Sequence, residues 1–121
     1  GCRVPVFGAH NVEDPQEVQA AQGAYEDLWF VTGDDRAGRF YVDAYQKKHG
    51  VYPAMGGANA FDYAKMIIES AQEGVPVLEK FKELRNFEGA YGQYGAAPGN
   101  AFEIQATIRI IKGGTFIEKL P

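Results

Sequence analysis

Residues 59–73 constrain the fold most. Ala60, Tyr63, Ala64, Ile67, Ile68 and Ala71 recur at helical spacing along one side, with Asp62, Lys65, Glu69 and Gln72 opposite. An apolar stripe of that period needs a surface to pack on, so the spacing predicts an amphipathic helix that is part of a larger core. The segment before it, Tyr52-Pro53-Ala54-Met55-Gly56-Gly57-Ala58, is built from small residues and reads as a loop feeding directly into the helix. Pro76 opens a second, short helix with Leu78, Phe81 and Leu84 inward. No catalytic triad, metal cluster or nucleotide loop stands near this assembly, which reads as a scaffold for binding and not for reaction.

Upstream the chain alternates strand and helix. Residues 3–8 are a short apolar strand ending at Gly8, followed by the loop Ala9-His10-Asn11-Val12-Glu13. Asp14-Pro15-Gln16-Glu17 carries an N-cap, a proline at the first helical position and an early acid, which predicts a helix over 15–22 closed by Gly23. Residues 27–32 are apolar almost throughout, as a strand covered on both faces would be, and Trp29 is expected in the core. A helix over 36–49 places Ala37, Phe40, Tyr41, Ala44 and Tyr45 on one stripe, ends at Gly50 and takes Asp35 as its cap.

Downstream the period changes. Phe87–Tyr91 is a short strand leading into glycines 89, 92, 95 and 99. Residues 102–111 alternate, with Phe102, Ile104, Ala106, Ile108 and Ile110 against Glu103, Gln105, Thr107 and Arg109, the pattern of one strand with a wet face. Lys112-Gly113-Gly114-Thr115 is a hairpin turn returning through Phe116, Ile117 and Glu118.

At 121 residues the chain fits one domain, and 45% hydrophobic with 23% charged residues is ordinary globular composition. The net charge of -4 and the scattering of the 12 basic residues argue against nucleic acid as a partner. No apolar run approaches the ~18 residues of a membrane span. Cys2, the single cysteine, rules out an internal disulfide. No secretory signal stands in the chain, and Gly1-Cys2-Arg3-Val4 enters straight into a strand, as the middle of a longer sequence does.

The order of these phrases is specific: Val4-Pro5-Val6-Phe7-Gly8, then Phe40-(x4)-Tyr45-(x4)-Gly50, Ala60-Phe61-Asp62-Tyr63-Ala64, Phe87-Glu88-Gly89-(x2)-Gly92, and a final strand–Gly-Gly–strand. Together they resemble the carboxyl-terminal part of type I periplasmic solute-binding proteins of the branched-chain amino acid class. The resemblance implies an α/β, Venus-flytrap fold with parallel strands, flanking helices and a terminal β-hairpin. It implies that residues 1–33 belong to the second lobe, that 34–86 are helices of the first, and that 87–121 form the terminal strands. It also implies an amino-terminal remainder outside this chain, an ABC transporter permease as partner, a periplasmic or extracellular location, no cofactor and no catalysis. The ligand would be an amino acid or a related small carboxylate or aromatic metabolite, held in an inter-lobe cleft. A sensing receptor of the same fold and a small α/β hydrolase-type enzyme are the alternatives.

In that family the loop matching the one after the Val4–Gly8 strand lies at the cleft, where an acidic or polar side chain commonly meets the ligand's amino group. This chain offers Ala9, His10 and Asn11 there, and no acid before Glu13. His10 and Asn11 are ligand contacts on this reading, or an exposed loop histidine and a turn residue. The second candidate cluster is Tyr52, Gly57 and Asn59. Backbone N–H groups at that helix start bind an anion, or Asn59 caps them itself. Glycines 89, 92 and 95 are spaced unlike a dinucleotide loop and read as turns. Tyr41, Tyr45 and Tyr63 lie on helical stripes and are expected in the core. Asp34 and Asp35 face the cleft or cap a helix. Cys2 with His10, as nucleophile and base or with Asp14 as metal ligands, lacks any orienting pattern.

Overall fold

The computed structural model describes residues 4–54 and 56–119, Ala37 by its backbone alone. Cys2 and Met55 lie outside the described residues. The chain divides into two compact units: one runs up to Gly33 and resumes at Ala106, and the other is Asp34–Gln105.

The first unit is a four-stranded sheet with one helix. Its strands are β1 (Phe7–Gly8), β2 (Trp29–Gly33), β6 (Ala106–Lys112) and β7 (Thr115–Glu118), in the order β1-β2-β6-β7. β1 pairs parallel with β2, and the other two pairings are antiparallel. Helix α1 (Pro15–Ala20) starts as predicted, with Asp14 Oδ1 accepting the Gln16 N–H at 2.8 Å and Pro15 in the first turn. Its Val18 joins Phe30 and Ile111 in a buried core, ringed by Val12, Tyr25, Leu28 and Phe116. Each of these buried side chains contributes about 1.5–3 kcal/mol by transfer from water. At the hairpin, Gly113 and Gly114 both adopt positive φ (55° and 76°), the backbone that a two-residue turn of this twist demands.

Among the described residues only one face of this sheet is covered. Register puts Trp29, Val31, Ile108, Ile110 and Ile117 together on the other face, where Val31 is 53%, Ile108 43% and Ile117 47% exposed. Residues 27–32 are thus not covered on both faces among the described residues. Trp29 is half-buried, with the Lys119 ammonium 3.0 Å above its ring and Phe7 edge-on at 5.8 Å.

The second unit holds α2 (Arg39–His49), α3 (Gly57–Glu73), α4 (Val77–Lys82) and an antiparallel sheet of β3 (Phe87–Glu88), β4 (Gln93–Ala97) and β5 (Ala101–Ile104). Met66 of α3, Leu84 and Tyr94 of β4 form its buried core, with Phe81, Phe87, Tyr91, Phe102 and Ile104 around them. The predicted 36–49 helix begins as a 3₁₀ turn (Asp35–Gly38), whose cap is Asp34 and not Asp35. Tyr41 and Tyr45 are half-buried, and Tyr63 is exposed, so none of the three is a fully buried core residue.

Two sequence expectations reverse here. The buried residues of α3 are Asp62, Met66 and Ser70, whereas the apolar stripe is open, with Ile67 47% and Ile68 56% exposed. The polar residues are inside because they have partners: Ser70 donates to the Val75 carbonyl and Asp62 accepts two backbone N–H groups. The alternating run 102–111 is two strands, β5 and β6, parted at Gln105 and entering different sheets. Past Gln105, Ile108 lies on the open face, and Arg109 faces Glu13 with its side chain 14% exposed.

Candidate functional site

The first candidate cluster sits at the carboxyl end of β1. Ala9, His10 and Asn11 are exposed, on a 3₁₀ turn (His10–Val12) closed by Val12 N–H to Ala9 O and Glu13 N–H to His10 O, at 3.1 and 3.0 Å. Val12 is held in the core beneath and Asp14 caps the next helix, so the turn is pinned at both ends. Carboxyl ends of strands in α/β sheets are where ligands commonly meet the fold.

Glu13 ends this turn, and both of its oxygens are engaged. Oε1 takes the Arg109 guanidinium, and Oε2 accepts from the Thr32 hydroxyl at 2.6 Å. Both charged side chains are largely buried, a setting in which each charge depends on the other. The alternation pattern set Arg109 on a wet face, and 96 residues separate it from Glu13, so no local signal could have joined them.

The second cluster lies in the other unit. Tyr52 is exposed, Pro53 is buried, and α3 begins at Gly57 with Gly56 as its cap at φ 80°. Among the described residues no side chain caps this terminus; Asn59 is half-buried inside the first turn and is not the cap. The helix start is tight, because a Cβ on Gly57 would lie 2.8 Å from the Tyr41 hydroxyl. Tyr41 is therefore part of this cluster, although its helical spacing read as core. Its ring lies 5.1 Å from Phe61 and 5.9 Å from Tyr45. Burial, then the neighbouring Tyr45 and the Asp62 charge, raise its pKa, so the phenol stays a neutral donor.

Ala9, His10 and Asn11 are thus brought together in one unit, and Tyr52, Gly57 and Asn59 in the other. Three grooves in the second unit are lined by other residues. The most apolar, about 220 Å³, runs between Leu78 and Phe81 of α4 and Ala96, Ala97 and Phe102 of the β4–β5 hairpin. Among the described residues no group of three or more His, Cys, Asp or Glu could hold a metal, and no helix is long and apolar enough to cross a membrane.

No protein-family model and no curated protein matches the chain. Solved structures do. A leucine-binding protein, LivK, from Thermotoga maritima is 21% identical at TM-score 0.78, over 99% of this chain and 37% of that one. The branched-chain amino acid transporter substrate-binding protein LivJ of Streptococcus pneumoniae, in complex with isoleucine, is 18% identical at TM-score 0.78, covering 98% and 38%. An extracellular ligand-binding receptor from Desulfohalobium retbaense is 17% identical at TM-score 0.82, covering 97% and 22%. The fold is that of the type I periplasmic solute-binding proteins, as the resemblance implied. The chain spans less than half the length of each of these three structures.

Proposed function

We propose that this chain is part of a two-lobed solute-binding protein that captures a small metabolite outside the cytoplasm and delivers it to the permease of an ABC importer. The carrying observation is the likeness of nearly the whole chain to solute-binding structures of which it spans 37–38%. The open apolar faces of the first unit's sheet and of α3 support it, since in an intact protein the remaining chain would cover them. On this reading ligand contacts stabilise a closed arrangement of the lobes, and no chemical step occurs.

His10 and Asn11 are the ligand contacts of the β1 loop, with Ala9 beside them, and Tyr52, Gly57 and Asn59 are the contacts of the second cluster. Glu13 is occupied by Arg109 and Thr32, which leaves the β1 loop without an acid for an ammonium group. A carboxylate or amide that accepts from His10 and Asn11 fits this loop better than an α-amino group does. The test is a binding screen on the intact protein with leucine, isoleucine, aromatic carboxylates and their amides, followed by the His10→Ala/Asn11→Ala double variant. Weakened binding by that variant is expected; unchanged affinity removes the loop from the site.

A sensing receptor of the same fold is the second reading, supported by the likeness to a structure named as a ligand-binding receptor. A membrane span or signalling domain in the longer protein would decide for it.

A further inference from the structure

Asp62 is fully buried in the second turn of α3, and both of its carboxylate oxygens are committed to one turn of backbone. Oδ1 accepts the Ala90 N–H at 2.6 Å, and Oδ2 accepts the Tyr91 N–H at 2.9 Å. Tyr94 lies against the same carboxylate. Its buried hydroxyl makes no hydrogen bond of acceptable geometry, so the backbone amides are the partners that hold Asp62.

The turn that Asp62 grips, residues 89–92, is pressed on three sides. A Cβ on Gly89 would sit 2.5 Å from Asp62 Oδ2, and one on Gly38 would sit 2.0 Å from the Ala90 carbonyl oxygen. A Cβ on Gly92 would meet Ile104 at 3.0 Å, the Gln105 carbonyl at 3.4 Å and the Asp34 nitrogen at 3.5 Å. Gly89 N–H closes the turn on Gly92 O at 3.0 Å. Asp34 and Gln105 are the first and last residues of the second unit, and they are bonded directly, Asp34 N–H to Gln105 O at 2.8 Å. Gln105 N–H in turn donates to Gln93 O at 3.1 Å, one residue past the turn.

From this chain of contacts we infer that Asp62 is a positioning residue: by clamping the 89–92 turn to α3 it sets the backbone at Asp34 and Gln105, where the chain enters and leaves the second unit. A carboxylate suits the task because it offers two acceptors and no donor, so it can hold adjacent N–H groups at once. An amide of equal size would turn an NH₂ group toward one of those N–H groups. The three glycines are required by the same arrangement, since a side chain at any of them would push the turn away. On the two-lobed reading above, the geometry of these two residues would bear on closure; the positioning role itself stands without that reading.

The experiment is residue-resolved amide hydrogen exchange on the intact protein, for the wild type, Asp62→Asn and Met66→Ala. Met66 is equally buried one helical turn along α3, belongs to the apolar core cluster and carries no carboxylate, so it controls for general loss of stability. Asp62→Asn is expected to speed exchange at Ala90, Tyr91 and Asp34 by roughly tenfold or more beyond any change in the α3 amides, a local opening. Met66→Ala should accelerate exchange evenly across the unit. Should Asp62→Asn not fold, Gly38→Ala displaces the turn from its other side and is expected to give the same selective pattern. An unchanged Asp34 amide, or a uniform pattern like that of Met66→Ala, overturns the inference. Affinity for leucine and isoleucine, measured on the same samples, reads the two-lobed proposal separately: selective exchange with unaltered affinity keeps the clamp and removes its role in closure.

Discussion

The two units bury a carboxylate by opposite means. Glu13 in the first is neutralised by another side chain, the Arg109 guanidinium, with the Thr32 hydroxyl on its second oxygen. Asp62 in the second is held by main-chain N–H groups. The difference decides what evolution or mutagenesis can change. An ion pair can be exchanged as a pair for apolar side chains of similar volume at little cost, because both charges leave together. Main-chain donors cannot be substituted away, so a carboxylate that satisfies them has no equivalent replacement. The first unit is therefore held by a replaceable contact and the second by an obligatory one.

The largest effect should come from removing the obligatory contact. Asp62→Ala strands two buried donors at about 1–3 kcal/mol each, so denaturant unfolding of the intact protein should show a loss of about 2–6 kcal/mol. The open face of α3 comes next: Ile68→Lys in the intact protein is expected to cost roughly 3 kcal/mol, since a buried charge without a partner is expensive. A cost within about 0.5 kcal/mol, usual for an exposed site, would mean that nothing covers this face.

Arg109→Met leaves Glu13 unpaired and should cost about 2 kcal/mol, and adding Glu13→Gln should recover most of it. A double variant as unstable as the single one would make the pair as obligatory as Asp62 and dissolve the contrast between the units. A finer probe is Tyr94, whose pKa is pushed far above its ordinary 10.0 by burial first and then by the Asp62 charge. A raised pKa means that folding favours the neutral phenol. That contribution is complete below pH 10.0 and fades as pH rises past it, where the unfolded chain ionises. Tyr94→Phe should flatten this alkaline limb in a pH series of thermal melts.

The smallest effect belongs to Lys112, which is exposed, with its pKa raised chiefly by a hydrogen bond to Asp27. Any contribution is present below the ordinary 10.5 and lost as pH rises above it, so Lys112→Met should not move a neutral-pH melt measurably.

Local chemistry was legible. The Asp14-Pro15 start of α1, the Gly50 end of α2 and the Gly113-Gly114 hairpin follow from dihedral preference and short-range hydrogen bonding, which neighbouring residues decide among themselves. The break in the chain after β1 was legible for the same reason. The place of Tyr41 beside Gly57 was not, because an i, i+4 aromatic stripe looks alike whether it meets a core or a helix end.

By itself, then, the order of residues determined where the helices lie, the Asp14 cap, the Gly50 helix end and the Gly113-Gly114 turn, and a likeness to solute-binding proteins carried by spacing. Only the tertiary structure decided that residues 102–111 split at Gln105 between two sheets, that Arg109 neutralises Glu13, and that α3 buries Asp62 and leaves Ile67 and Ile68 open. Periodicity marks which residues share a face, but not which face finds a partner. That depends on contacts between segments far apart in the chain, where a carboxylate with two N–H donors within reach can lie inside while an isoleucine stays out.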